Sequence, residues 1–314
     1  MLKFIGKRLL ILIPVLIGVS FLVFGILALM PADVASIQLG MAATPAGIAQ
    51  WNAEHGLDAP FFTRYFTYMK GILHGNFGLS YFTNQPVATE LAQRIPVTLA
   101  LASGTMALVI AIGVPVGVIS AVKQYSLFDN AARLLAMLFT AIPAFWLGLM
   151  LILQFCVKRK WFPAIGGGSV KHFILPWITL SAAMAAQLIR MTRSTMLEVI
   201  RADYIQTAKA KGAKPMRIIM VHELRNALLP MITVIGITLG QTLGGAIVTE
   251  TVFALPGVGT YLLQGINKYD MPVVMASVLF IAAMIGIINL IVDVLYVYID
   301  PRLRSQFVKG YVGR

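Results

Sequence analysis

Long runs of hydrophobic positions separated by short polar stretches dominate the chain: Leu9 to Met30, Val97 to Val122, Ala131 to Val157, Phe173 to Met191, Ala227 to Thr249 and Pro272 to Ile299. A helix crossing the hydrocarbon core of a bilayer needs roughly 20 apolar residues, because backbone groups left unpaired in lipid are costly. The pattern therefore predicts an all-α integral membrane protein with about six transmembrane helices, the fourth run being the weakest. The stretch from Pro31 to Pro96 is too long and too often broken by Gly and Pro for a simple linker. It predicts a partly helical extracytoplasmic segment between the first two spans. Its aromatic group, Phe61, Phe62, Tyr65, Phe66 and Tyr68, suits a helix lying at the membrane surface.

Charge changes the picture in one respect, orientation. Only 12% of the 314 residues are charged against 59% hydrophobic, which excludes an ordinary soluble domain. The net charge of +13 does not imply a nucleic-acid partner, since the Lys and Arg residues lie between apolar runs and not on one polar face. An inner N-terminus places 17 of the 25 Lys and Arg residues on the inner side and 8 outside, so both termini are expected in the cytoplasm. Lys158, Arg159, Lys160 and Lys171 oppose that bias and have no account in the sequence. The opening Lys3, Lys7 and Arg8 resembles the start of a secretory signal, but the apolar run continues to Met30 without an early cleavage site, so a retained first helix is expected.

The segment from Arg190 to Asn226 carries eight Lys and Arg residues against Glu198, Asp203 and Glu223. Asp203 and Gln206 are spaced as a capping pair, Tyr204 to Lys211 reads as a helix, Gly212 as its terminator, and Pro215 as the first turn of a second helix. Two short helices meeting at a glycine form a knob that a cleft in another protein can grip. An amphipathic linker resting on anionic lipid is an equal alternative.

Polar residues at membrane depth are costly and so informative. Asn289 and Asp293, one turn apart, and Gln241 are candidates for a translocation path or for a clamp between helices, and Glu250 for a gate or a solvated cap. Span residues Pro14, Gly113, Pro115, Gly117, Pro143, Pro176, Gly236, Gly240, Gly244 and Gly245 predict close helix packing and kinks. Catalytic chemistry finds little support. His222-Glu-Leu-Arg-Asn226 lacks the second His of a zinc-binding His-Glu-x-x-His, and no nucleophile elbow occurs. No metal site is expected, since His55, His74 and His172 lie across the bilayer from His222 and Cys156 reads as a small buried hydrophobe. A channel or secondary transporter would rest on Asp293 alone. The absence of a Gly-x-x-x-x-Gly-Lys-Ser/Thr loop means that any ATP hydrolysis must be supplied by another chain.

The stretch Asp203-Tyr-Ile-Gln-Thr-Ala-Lys-Ala-Lys-Gly212 resembles the EAA motif of ABC importer permeases, with Gln206, Thr207, Ala208 and Gly212 at the signature positions. The usual glutamate and the Ile-x-Leu-Pro continuation are absent. His222 to Pro230 instead resembles the variant of the peptide and nickel group. Leu2-Lys-Phe-Ile, Gly75-Asn-Phe-Gly-Leu-Ser80, Leu255-Pro-Gly-Val-Gly259, Val292-Asp-Val-Leu-Tyr and Asp300-Pro-Arg302 carry the resemblance along nearly the whole chain.

The resemblance implies a type I ABC importer permease fold in a bacterial inner membrane. Residues 1–96 would hold the first helix and the extracytoplasmic segment, 97–303 the permease core and 304–314 a cytoplasmic tail. It also implies a second homologous permease, two ATP-binding subunits that hold ATP and Mg, and an extracytoplasmic solute-binding protein. Asp203, Gln206, Thr207, Ala208, Lys211, Gly212 and Pro215 would then form the ATPase-coupling loop. Di- and oligopeptides are the expected cargo, with nickel, a metal chelate or glutathione as the alternative.

Overall fold

Apolar runs of this length form helices because each satisfies its backbone groups internally, and helices are the regular structure throughout the described residues. The computed structural model describes residues 2–29 and 34–299. The helices are α1 (Leu2–Ala28), α2 (Val34–Leu39), α3 (Pro45–Glu54), α4 (Phe61–Leu73), α5 (Val87–Val122), α6 (Leu127–Ala141), α7 (Ala144–Leu151, continued as a π-helix over Ile152–Lys158), α8 (Lys171–Ile200), α9 (Asp203–Ala210), α10 (Pro215–Arg217, continued as a π-helix over Ile218–Glu223), α11 (Leu224–Val252), α12 (Val258–Asn267) and α13 (Met271–Ile299). Among the described residues five helices are long and apolar enough to cross a membrane, or six if the bent pair α6 and α7 makes one span. The expected tail 304–314, the closing Asp300-Pro-Arg302, and Met30 and Pro31 at the end of the first run lie outside the described residues.

Two expectations about the spans are corrected. The third run is not one straight helix: α6 and α7 meet at 98°. Pro143 disfavours helical geometry at Ile142, which adopts φ −78° and ψ 123° and breaks the helix there. The fourth helix does not stop at Met191 but runs to Ile200, so Arg190 and Arg193 belong to α8 and not to the following loop.

The described residues form two compact units, one of residues 2–5, 99–255 and 287–299, the other of residues 6–29, 34–98 and 256–286. In the first, α8 lies directly against α5. A Cβ on Gly113 would sit 2.8 Å from the Leu188 side chain, and one on Gly117 would sit 2.5 Å from Thr192 and 2.9 Å from the Ile189 carbonyl. The close approach therefore requires glycine at both places. Further along, Ala121, Met196, Ala227 and Met231 close a buried cluster shared by α5, α8 and α11. The unexplained basic stretch gains a local role, since the Arg159 guanidinium stacks over Phe155 at 5.4 Å and Trp161 at 4.8 Å.

In the second unit the aromatic helix α4 packs against α1 and the start of α13. Tyr65 is buried, its hydroxyl 2.9 Å from Ser20 Oγ, and its ring meets Phe24 edge-on at 5.4 Å. Phe61 and Tyr68 join the same contact with Phe24, because positions 61, 65 and 68 share one helical face. Phe62 and Phe66, on the other face, stay exposed. The Gly75-to-Ser80 motif forms a turn with positive φ at Gly75 and Gly78. Ser80 there donates to Asp270 Oδ2 at 2.5 Å.

Candidate functional site

The loop after α8 folds as its local signals dictate, with one difference. Ala202, with ψ 144°, is the N-cap of α9, and no side chain caps it. The expected Asp203–Gln206 capping pair does not form because the helix already begins at Asp203, where the carboxylate instead favours the positive end of the helix dipole. At the other end Gly212 takes φ +74°, and the N–H groups of Gly212 and Ala213 donate to Lys209 O at 2.9 Å and Ala208 O at 3.2 Å. Pro215 opens α10 as expected.

Ile205 is the one wholly buried side chain of α9, pinning it to the unit. Asp203, Gln206, Thr207, Lys211, Gly212 and Pro215 are exposed, and Ala208 is half-buried. Tyr204, Met216, Met220 and Val221 add exposed apolar surface beside them. The result is a mixed polar and apolar knob in which Ile205 is the buried anchor of α9. Glu223 is almost fully buried and its Oε2 has no hydrogen-bond partner among the described residues. Burial pushes its carboxyl above the usual carboxylate range, against the opposing pull of Lys209.

One constellation was missed in the sequence. Asp129, fully buried near the start of α6, receives both arms of the Arg193 guanidinium, Nε to Oδ1 at 2.6 Å and Nη2 to Oδ2 at 2.7 Å. The Ser120 hydroxyl and the Tyr125 N–H, the latter at 2.9 Å, also donate to this carboxylate. Ser126 caps α6 by accepting from the Asp129 N–H at 3.2 Å. This ties α5, the following turn and α6 to α8. The available signal was Ser126-x-x-Asp129 ahead of an apolar run, but reading Arg193 as a loop residue hid its partner.

The polar span residues separate into two groups. Gln241 is exposed on an α11 face shared with Thr233, Ile237, Gly244 and Val248. Asn289 is exposed on α13. A Cβ on Gly236 would lie 2.6 Å from Val292, which sets Gln241 and Asn289 at similar depth on neighbouring helices. Glu250 is fully buried and so is not a solvated cap. Asp293 is half-buried.

Comparison with known proteins points in one direction. Residues 113–305 match the family model described as binding-protein-dependent transport system inner membrane component, and residues 1–102 match its N-terminal companion. The chain is 41% identical over 338 residues to the dipeptide transport system permease protein DppB of Escherichia coli, covering 98% of this chain and all of that one. It is 40% identical over 332 residues to DppB of Alkalihalophilus pseudofirmus, covering 97% of this chain and all of the relative. The glutathione transport system permease protein GsiC of Escherichia coli is 39% identical over 306 residues, covering 98% and 100%. Among solved structures, a chain of the MetNI methionine ABC transporter in an inward-facing conformation superposes with a TM-score of 0.57 at 24% identity, covering 67% of this chain and 96% of that one. That likeness concerns the fold.

Proposed function

The chain belongs to the family of binding-protein-dependent transport system inner membrane components, and on that premise we propose that it is the permease subunit of an ATP-driven importer of di- and oligopeptides. It works with a second, homologous permease, two ATP-binding subunits that hold ATP and Mg, and an extracytoplasmic solute-binding protein. Both termini face the cytoplasm, with the permease core in residues 97–303 and the tail in 304–314.

The observation that carries this reading is the knob: α9 exposes Asp203, Gln206, Thr207 and Lys211 while Ile205 anchors it, and Gly212 turns the chain sharply into Pro215. A short helix held this way can be gripped by a cleft in an ATP-binding subunit and moved as one piece with α8. Gln241 and Asn289 are assigned to the translocation path because lipid does not tolerate them exposed at membrane depth. Glu250 and Asp293 are assigned to helix packing.

The peptide class follows from the full-length likeness to two dipeptide permeases. Glutathione, itself a tripeptide, is the second reading, from the similarity to GsiC. The test is to purify the chain with whatever ATP-binding subunits accompany it. ATP hydrolysis is then measured with dialanine or glutathione in the presence of the cognate binding protein. Stimulation by dialanine supports the first reading and stimulation by glutathione alone the second. Failure to retain any ATP-binding subunit overturns both.

A further inference from the structure

Helix α8 carries a polar stripe in the wrong place for a lipid-facing surface. Along residues 185–200 the exposed positions are Gln187, Arg190, Ser194 and Glu198, spaced by 3, 4 and 4 residues, so they share one face. The positions between them are buried or half-buried, among them Leu188, Ile189, Thr192 and Met196.

The depth of Arg190 follows from helix packing. Gly113 meets Leu188 and Gly117 meets Thr192, so Arg190 lies level with about residue 115 of α5. Lys123, the first charged residue beyond the apolar part of α5, is therefore roughly 12 Å away along the axis, from eight residues at about 1.5 Å each. On the other side Leu188 packs with Val234, Ile235 and Leu239, within the apolar part of α11. Arg190 thus lies one turn further from the cytoplasmic end than Arg193, level with apolar stretches of α5 and α11.

Its partners are inadequate for that depth. Arg193, one turn away, has its charge matched by a buried carboxylate, whereas Arg190 donates from Nη1 to the hydroxyl of Thr140 at 2.8 Å and forms no ion pair among the described residues. An exposed guanidinium at this depth must face water or an anion, because leaving it in hydrocarbon is costly. A guanidinium presents parallel N–H donors that match a carboxylate.

We propose that Arg190 binds the C-terminal carboxylate of a peptide in transit, with Gln187 and Ser194 lining the same hydrated path. The assignment rests on the permease reading and adds to it the group of the cargo that is recognised inside the membrane.

The test uses the complete complex in proteoliposomes, with Arg190→Gln, Arg190→Lys and the parent compared. Equilibrium binding of dialanine and of its C-terminal amide to the detergent-solubilised complex, without the binding protein, is measured alongside uptake. The parent is expected to prefer dialanine, Arg190→Gln to lose about ten- to a hundredfold in dialanine binding with the amide unchanged, and Arg190→Lys to retain part of the preference. In a variant with Cys156→Ala, Ser194→Cys should react with a membrane-impermeant maleimide, and dialanine should slow the reaction. Equal losses for dialanine and the amide, as a salt link to the second permease would produce, overturn the assignment. So does an unchanged preference in Arg190→Gln, or a Ser194→Cys thiol that never reacts. Absence of uptake by the parent instead overturns the permease reading, and this assignment with it.

Discussion

Arg193 and Asp129 are joined by two parallel hydrogen bonds of 2.6 and 2.7 Å, although 64 residues separate them in sequence. The carboxylate is wholly buried and the guanidinium largely so, which makes the pair costly to assemble and costlier to break on one side. Asp129→Ala should destabilise the protein by about 3 to 5 kcal/mol, because it strands a buried cation. Thermal unfolding in detergent reads this directly. Exchanging the two charges should not restore stability, since Ser120 and the Tyr125 N–H also donate to position 129 and would then face an arginine. Replacing the pair by leucine and methionine should recover much of the loss.

The glycines of α5 should differ in tolerance. At Gly113 an added methyl meets only Leu188, whose Cδ2 and Cγ can shift although its Cβ at 2.9 Å can do so only with the backbone, whereas at Gly117 it meets the Thr192 Cβ at 2.5 Å and the Ile189 carbonyl at 2.9 Å, neither of which can step aside. Gly117→Ala should cost about 1 to 3 kcal/mol, and Gly113→Ala less. Leu188→Ala should relieve only part of the Gly113→Ala cost, because the Leu188 Cβ that alanine keeps lies 2.9 Å from the added methyl, and none of the Gly117→Ala cost. Unfolding midpoints of the four variants settle the order.

Gly212 has open space around its missing side chain, so substitution there is limited by backbone conformation and not by collision. With φ at +74°, a β-branched residue should pay about 1 to 2 kcal/mol or more and distort the turn, while Asn tolerates this region better. Gly212→Val should leave the chain inserted but uncouple ATP hydrolysis from uptake in the assembled complex. Gly212→Asn should keep most of the coupling. Normal uptake by Gly212→Val would show that the turn does not transmit the stroke.

Glu223 predicts a pH dependence of definite sign. Burial raises its carboxyl above the ordinary 4.5. The folded state therefore holds the proton more tightly than the unfolded one. The stability that this contributes is complete below about pH 4.5 and is lost as pH rises through the elevated folded value. Glu223→Gln should flatten that part of the stability profile and raise the unfolding midpoint at neutral pH. An unaltered profile would mean that an ionised Glu223 finds a partner in the assembled complex.

Where signals were local, the sequence was sufficient. Gly212 ends α9 and Pro215 opens α10 because left-handed φ and a missing N–H are properties of single residues, readable without a fold. The apolar runs were equally legible, being set by the bilayer and not by tertiary contacts. What failed depended on distant partners or on angle. Pro143 signalled a break but carried no information about a 98° bend, which neighbouring helices decide. Arg190 and Arg193 read as part of the loop because charge within a membrane span is unfavourable until a partner is supplied, as Asp129 is to Arg193 from another part of the chain. Tyr65 looked like an interfacial anchor, and only Ser20 and Phe24 across from it explain its burial.

Continuity of α8 has a mechanical consequence. Its 30 residues give a rod of roughly 45 Å, joined to α9 through Arg201 and Ala202 alone, and the Asp129 fork grips it partway along. Between the fork and α9 no proline interrupts α8, so on the proposed reading a push on α9 would reach the fork and the glycine seam with α5 without being absorbed within that stretch. In the same unit the chain changes direction at Ile142 and Pro143, between α6 and α7. If ATP-binding subunits push on α9, a helix-breaking substitution in α8 between the Asp129 fork and α9 would lose the stroke even with every contact of the knob left intact.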